Sequence, residues 1–183
     1  GHLVIDSAGR SLTATSGSLR TLRNITLVNG RFNHNAGQVE IWRSNNLFGP
    51  LVFNDLELSA DVVNNNNFVI NQGNTSVPVI VQGNLSLTGS RRLRIRFGVL
   101  RVAGNVLITN TSTISGGNGT VLLDGNGPQT LTSTVALGQG ALPRLTIQQG
   151  ANGTLDLVGT ISVSHHLTHT SGSVNAGTST VVF

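Results

Sequence analysis

The sequence predicts an all-β protein: a right-handed parallel β-solenoid (β-helix) of roughly eight to nine coils, forming one domain over residues 1–183. Three observations predict it. Apolar residues alternate with polar ones throughout, as in Ile25/Leu27, Val39/Ile41, Leu56/Leu58 and Leu145/Ile147, and no run keeps a helical spacing. Each alternating stretch ends quickly in Gly, Asn, Ser or Thr, the residues of turns. A coil-sized repeat is also present: Gly83-Asn84-Leu85-Ser86-Leu87-Thr88 matches Gly104-Asn105-Val106-Leu107-Ile108-Thr109, 21 residues on. Strands of a β-sandwich have no reason to recur in sequence, so the repeat favours stacked coils.

The repeat extends outward from those glycines. Val79 and Val81 precede the first copy as Leu100 and Val102 precede the second. Leu155 and Leu157 precede a third, Gly159-Thr160-Ile161-Ser162-Val163-Ser164. The six aliphatics Leu85, Leu87, Val106, Ile108, Ile161 and Val163 are therefore expected to point inward, with the three glycines at equivalent turns. A longer repeat pairs Leu3-Val4-Ile5-Asp6 with Val121-Leu122-Leu123-Asp124, and Ile25-Thr26-Leu27 with Leu145-Thr146-Ile147. It divides the domain into internal units of about 2–119 and 120–183. The run Asn64-Asn65-Asn66-Asn67 reads either as a solvated turn or as an amide ladder between coils.

Composition narrows the function classes. Gly, Asn, Thr and Ser make 80 of 183 residues, and charged residues are 10% against roughly 25% in ordinary domains. With 38% hydrophobic residues and a net charge of +4, the chain is not of disordered composition. No apolar run reaches the roughly 18 residues of a membrane helix, so no membrane insertion is expected. There is no Cys, which removes disulfide scaffolds, thiol catalysis and zinc–thiolate sites. All 11 cations are Arg, and +4 is a weak attractor for nucleic acid. With no Met at its start, the chain reads as a processed product or as a stretch of something longer.

Three segments carry a resemblance: Ala176-Gly177-Thr178-Ser179-Thr180-Val181-Val182-Phe183, Asp124-Gly125-Asn126-Gly127-Pro128-Gln129-Thr130-Leu131-Thr132, and Leu145-Thr146-Ile147. They resemble tandem repeats of secreted bacterial parallel β-helix surface proteins of the adhesin-like kind. The likeness covers residues 114–183 well and 1–42 loosely, while 43–97 depart from it. It implies a solenoid placed outside a bacterial cell, secreted or at the surface. It carries over no catalytic residue.

Among local features, Arg91, Arg92, Arg94, Arg96 and Arg101 stand within 11 residues of one another. Alternation places Leu93, Ile95 and Phe97 in the core and Arg92, Arg94 and Arg96 outside, about 7 Å apart. Such a row can grip the anionic groups of an acidic polysaccharide or a partner's carboxylates. It can equally serve as a charged face that blocks sheet aggregation. Nucleic acid fits less well, because aromatics for base stacking are missing. Asp55 and Glu57 share an outer face, spaced as a glycosidase pair could be, or as ion-pair partners for Arg on another surface. His165, His166 and His169 lack a carboxylate or thiol to complete a metal shell, so no metal or cofactor is expected. Asp124-Gly125-Asn126-Gly127 reads as a tight turn rather than a calcium loop.

The termini suggest assembly. Leu3, Val4 and Ile5 open the chain, Val181, Val182 and Phe183 close it, and both segments match the internal strand Val121-Leu122-Leu123. Such strands invite another copy to continue the stack head to tail, or belong to a chain cut from a longer polypeptide whose next coils cover them. The leading expectation is a non-enzymatic extracellular structural protein, a subunit or segment of a surface fibre that self-associates. An adhesin segment binding acidic glycans through the Arg face comes second. A polysaccharide-degrading β-helix enzyme comes third.

Overall fold

The computed structural model describes residues 2–43, 45–61, 65–71 and 75–183. It is an all-β chain whose strands pair in parallel and stack in about eight turns, a β-solenoid. A five-stranded sheet joins β1 (Leu3–Thr13), β3 (Ile25–Asn33), β5 (Asn45–Phe48), β8 (Asn65–Ile70) and β11 (Arg92–Phe97). A six-stranded sheet joins β6 (Val52–Phe53), β9 (Val79–Val81), β12 (Val99–Val102), β14 (Thr120–Leu123), β16 (Arg144–Gln148) and β18 (Leu167–Ser171). A nine-stranded sheet runs through β2 (Ser18–Thr21), β4 (Gln38–Ile41), β7 (Asp55–Ser59), β10 (Leu85–Thr88), β13 (Val106–Ile108), β15 (Pro128–Ser133), β17 (Thr154–Ser162) and β19 (Ser173–Asn175). Its ninth strand, β20 (Thr180–Val182), pairs with the distal half of β17. From β5 to β13 the chain visits the five-, six- and nine-stranded sheets in turn, once per coil.

Alternation makes the interior. On the nine-stranded sheet, Val39, Leu56, Leu85, Val106, Leu131 and Leu157 stack in register, each buried. Val79, Leu100, Val121 and Leu145 form the matching column on the six-stranded sheet. Each branched side chain therefore packs on one of its own kind from the coil before and after. The coils differ in length: Val39 and Leu56 are partners 17 residues apart, whereas Leu56 and Leu85 are 29 apart. The inward register is the same across both steps.

The 21-residue match is a true coil-to-coil register. Leu85 pairs with Val106 and Leu87 with Ile108, and the Gly104 N–H donates to the Gly83 carbonyl at 3.0 Å. A Cβ on Gly104 would lie 2.3 Å from that carbonyl oxygen, so glycine is needed for the approach. All six expected aliphatics are buried, Ile161 and Val163 included. The third copy, however, sits one face away. Leu155 and Leu157 pair with Gln129 and Leu131 on the nine-stranded sheet, and Ile161 pairs with Val181. Gly159 is not at the turn of Gly83 and Gly104: it lies within β17, at φ +83, against the Ser133 carbonyl, and bends the strand onto the next face. The long repeat shows the same displacement. Leu3–Ile5 and Ile25–Leu27 pair in the five-stranded sheet, but Val121–Leu123 and Leu145–Ile147 pair in the six-stranded one. Sequence similarity preserves the relation between coils and not the face.

In the Asn run, Asn64 lies outside the described residues. The other three belong to β8, with Asn66 fully buried opposite Leu93, so the run is part of a strand rather than a turn.

Two substitutions test this packing. Ile108→Asp should leave the chain unfolded by circular dichroism, since a lone buried carboxylate costs several kcal/mol. Gly104→Val should lower the urea midpoint sharply, because its side chain must displace the backbone of the neighbouring coil.

Candidate functional site

Alternation turns the charged side chains outward, and the coil stack decides which of them meet. Arg101, on β12, belongs to the six-stranded sheet, while Arg92, Arg94 and Arg96 stand on β11 in the five-stranded sheet. The five-Arg cluster of the sequence is thus split between two faces. Arg101 Nε donates to Asp124 Oδ2 at 2.6 Å, and a terminal guanidinium nitrogen contacts the same oxygen. This pair joins adjacent coils and accounts for Asp124.

Phe97 also departs from the expected core. The pairing of β11 with β8 slips between Ile95 and Phe97, and Gly98 follows at φ +76, pressed on the Ile70 carbonyl. The slip turns Phe97 outward, where it is 38% exposed and lies 5.2 Å beneath the Arg96 guanidinium. Leu93 and Ile95 remain buried. Arg94 is half-buried between Arg92 and Arg96 in sequence. Loss of water, then the charges of those two arginines, pull its pKa below the usual arginine value.

Each of the seven carboxylates takes part in a link between coils. Asp55 Oδ1 accepts from the Asn84 amide at 2.6 Å, Asn84 Oδ1 from the Asn105 amide at 3.0 Å, and Asn105 Oδ1 from the Thr130 amide at 2.8 Å. This is one corner ladder climbing four coils, and Asp55 is its first rung. Glu57 accepts from Gln38 Nε2 at 3.2 Å and from Thr88 Oγ1 at 2.8 Å, side chains of the coils on either side. Asp6 accepts from Asn29, Asp61 from the Ser90 amide and Asp156 from Asn175. Asp55 and Glu57 therefore face outward as expected but are held by neighbouring coils, and both lie on a different sheet from the Arg row.

Glu40 completes the set and was not singled out in the sequence. Arg20 Nε donates to its Oε2 at 2.7 Å, and the same guanidinium lies 4.1 Å above the Trp42 ring. Burial opposes the charged form, but hydrogen bonds led by Arg20 and Ser18, together with the Arg20 charge, hold the Glu40 carboxyl below the usual range. Its position opposite Glu57 on the next coil is a tertiary juxtaposition, 17 residues apart in sequence.

Buried amides do the same inside. Asn110 is almost fully buried, and its Nδ2 donates to the carbonyls of Thr88, Gly89 and Arg91 at 3.2, 2.9 and 2.9 Å. Its Oδ1 accepts from the Ser112 amide and from Ser115 Oγ, which shapes the loop beside β11. Gln129 donates to the carbonyls of Val102 and Gly104, and accepts from Gln149 Nε2 at 2.5 Å. Their spacing of roughly one coil was the available sequence signal.

His165 bonds Asn118 at 2.8 Å and His169 the Gly172 carbonyl at 3.1 Å. No group of three metal-ligating side chains occurs among the described residues. No helix among them is long and apolar enough to cross a membrane.

At one end of the stack, β1 and β2 pair on one side only; at the other, so do β18, β19 and β20. Leu3 and Ile5 face the interior, whereas Val4 is 57% exposed on the outer surface. Val181 packs on the core, Val182 is half-buried, and Phe183 lies beyond β20, 76% exposed. Compared with known family models, curated proteins and solved structures, the chain matches none.

Two outcomes follow. Asn110→Ala removes the donor to the Arg91 carbonyl and the shared bonds to those of Thr88 and Gly89, which keep their backbone donors, so it should cost about 1–3 kcal/mol in urea unfolding. Glu40 has a lowered folded-state pKa, so its contribution is complete above the ordinary glutamate value of about 4.3 and is lost as pH falls through the folded value. Stability measured from pH 6 to pH 2 should fall more steeply in the native chain than in Glu40→Gln.

Proposed function

We propose that this chain is a non-enzymatic, extracellular structural protein: a rod unit of a surface fibre that lengthens by stacking coils head to tail. The observation that carries the reading is the aliphatic column running unbroken into the first and last coils present, which a further coil, of a second copy or of the same polypeptide, would continue. Leu12 and Leu19 at one end, and Leu167 and Val174 at the other, stand on the inward columns of coils that have a neighbour on one side only. A second copy offers each edge what it lacks: parallel backbone donors and acceptors, and an aliphatic column in line with its own. Thr180-Val181-Val182 and Leu3-Val4-Ile5 both resemble Val121-Leu122-Leu123, a strand covered on both sides by β12 and β16. The contact joins unlike surfaces and does not close on itself, so it propagates as a filament.

Other features support the structural over the hydrolytic reading. Asp55 and Glu57 are engaged in bonds between coils. The ladders of Asn and Gln stiffen the rod along its axis. The Cys-free composition, rich in Asn, Thr, Ser and Gly, suits a bacterial surface location, as does the resemblance of residues 114–183 to adhesin-like repeats.

Light scattering and negative-stain microscopy of the purified chain should show rods that lengthen with concentration. Val174→Asp and Leu12→Asp, at exposed end positions, should keep the β-sheet circular dichroism and stop the growth. A chain that stays monomeric up to hundreds of micromolar would overturn the fibre.

A further inference from the structure

Charge on this molecule is unevenly answered. All seven carboxylates are engaged in links between coils, and the ion pairs among the described residues are Arg20–Glu40 and Arg101–Asp124. No carboxylate pairs with Arg91, Arg94 or Arg96. Arg91 at the entry to β11, and Arg94 and Arg96 on it, therefore have no ion-pair partner among the described residues, and Arg94 stands within reach of the charge of Arg96. The Nε of Arg94 is buried with no hydrogen-bond partner. Crowding of this kind is relieved by an anion from outside the chain.

The shape beside that strand suits a chain of sugars. Ser90, Arg91, Arg92, Thr111, Thr113 and Ile114 line a cleft of about 440 Å³ at the corner leading into β11. One wall is the loop held by Asn110, whose three bonds to the coil below and two accepted bonds fix its path. The hydroxyls on this wall are therefore preset rather than recruited. Beyond the Arg row, Phe97 presents an exposed ring against Arg96, a surface on which the apolar face of a sugar can rest.

Other polyanions fit less well. β11 is paired with β8 on one side and bridged to Gly116 on the other, so it offers no free edge to an acidic peptide adding as a strand. A nucleic acid would need successive aromatic platforms, and Phe97 is a single ring.

We propose that the outer face of β11 and its adjoining corner bind an acidic polysaccharide. Arg91, Arg94 and Arg96 grip its carboxylate or sulfate groups, while Ser90, Thr111 and Thr113 meet its neutral hydroxyls. The site lies on the side of the rod, away from the stacking ends, so a fibre would display it once per subunit.

Titration calorimetry on the assembly-deficient Val174→Asp chain tests the site independently of fibre formation. The probes are polygalacturonate, dextran sulfate, neutral dextran and poly-glutamate. Binding is expected to one or both acidic polysaccharides, not to dextran, with affinity falling as salt rises. Arg91→Gln/Arg94→Gln should weaken binding at least tenfold. Arg10→Gln/Arg23→Gln, with the same charge removed from exposed positions in the early coils, should leave it within twofold. Thr111→Val/Thr113→Val, which keeps every charge, should cost severalfold and serves if the Arg variant misfolds. Equal loss in both Arg variants would reduce the site to diffuse charge. Poly-glutamate binding as tightly as the polysaccharides, or no binding to either acidic polysaccharide, would overturn the proposal.

Discussion

Each coil of this chain depends on its neighbours for the hydrogen bonds of its backbone. A parallel strand of three to six residues has no partner within its own coil. Its N–H and C=O groups are satisfied only by the strands above and below. Every other feature of the molecule is arranged around keeping those ladders aligned. The aliphatic columns do so from inside, since a coil slipped by one residue would send its Leu and Val to solvent and its polar residues to the core. The glycines do so at the corners, by allowing backbones to approach where a side chain would push them apart.

The polar side chains follow the same logic. A corner interrupts the strand ladder and leaves amides and carbonyls unpaired at the very place where coils must stack. Asp55, Asn84 and Asn105 accept the stranded amide of the next coil. Asn110 and Gln129 donate to corner carbonyls of the coil before, adding to the backbone bonds that several of these already accept. Asn is frequent here because its short amide reaches its neighbour's backbone while tolerating corner geometry. Asp55 takes the same place as Asn84 and Asn105 and accepts the same kind of bond, while Glu40 and Glu57 link coils from within strands. A residue type that elsewhere suggests catalysis is used here as a corner bracket, and this separates the acids from the arginines of β11.

The division between faces shapes the functional reading. The nine-stranded sheet carries Glu40 and Glu57, both tied to neighbouring coils. The five-stranded sheet carries the Arg row, of which Arg94 and Arg96 make no ion pair among the described residues. The first and last coils present continue the apolar columns. Side and end are chemically different surfaces, so the stacking and the ligand binding proposed above do not compete for the same residues.

Much of this was legible in the sequence. Alternation identified the inward aliphatics, the 21-residue repeat identified the register between β10 and β13, and Arg92, Arg94 and Arg96 were assigned to an outer surface. These are properties of one strand or of two equivalent strands, and period-two chemistry determines them locally. What the sequence did not contain was the face on which each coil starts. Gly159 resembles Gly83 and Gly104 in its neighbours, yet it bends a continuing strand, because its place is set by the Ser133 carbonyl beneath it. Arg101 resembles part of the Arg cluster, yet the corner at Gly98 carries it to another sheet and to Asp124. Phe97 has the spacing of a core residue, yet a slip in its pairing with β8 turns it outward. Inward or outward is decided within a strand; which sheet, which neighbour and which corner are decided by the lengths of coils many residues apart, and only the stacked structure sums them.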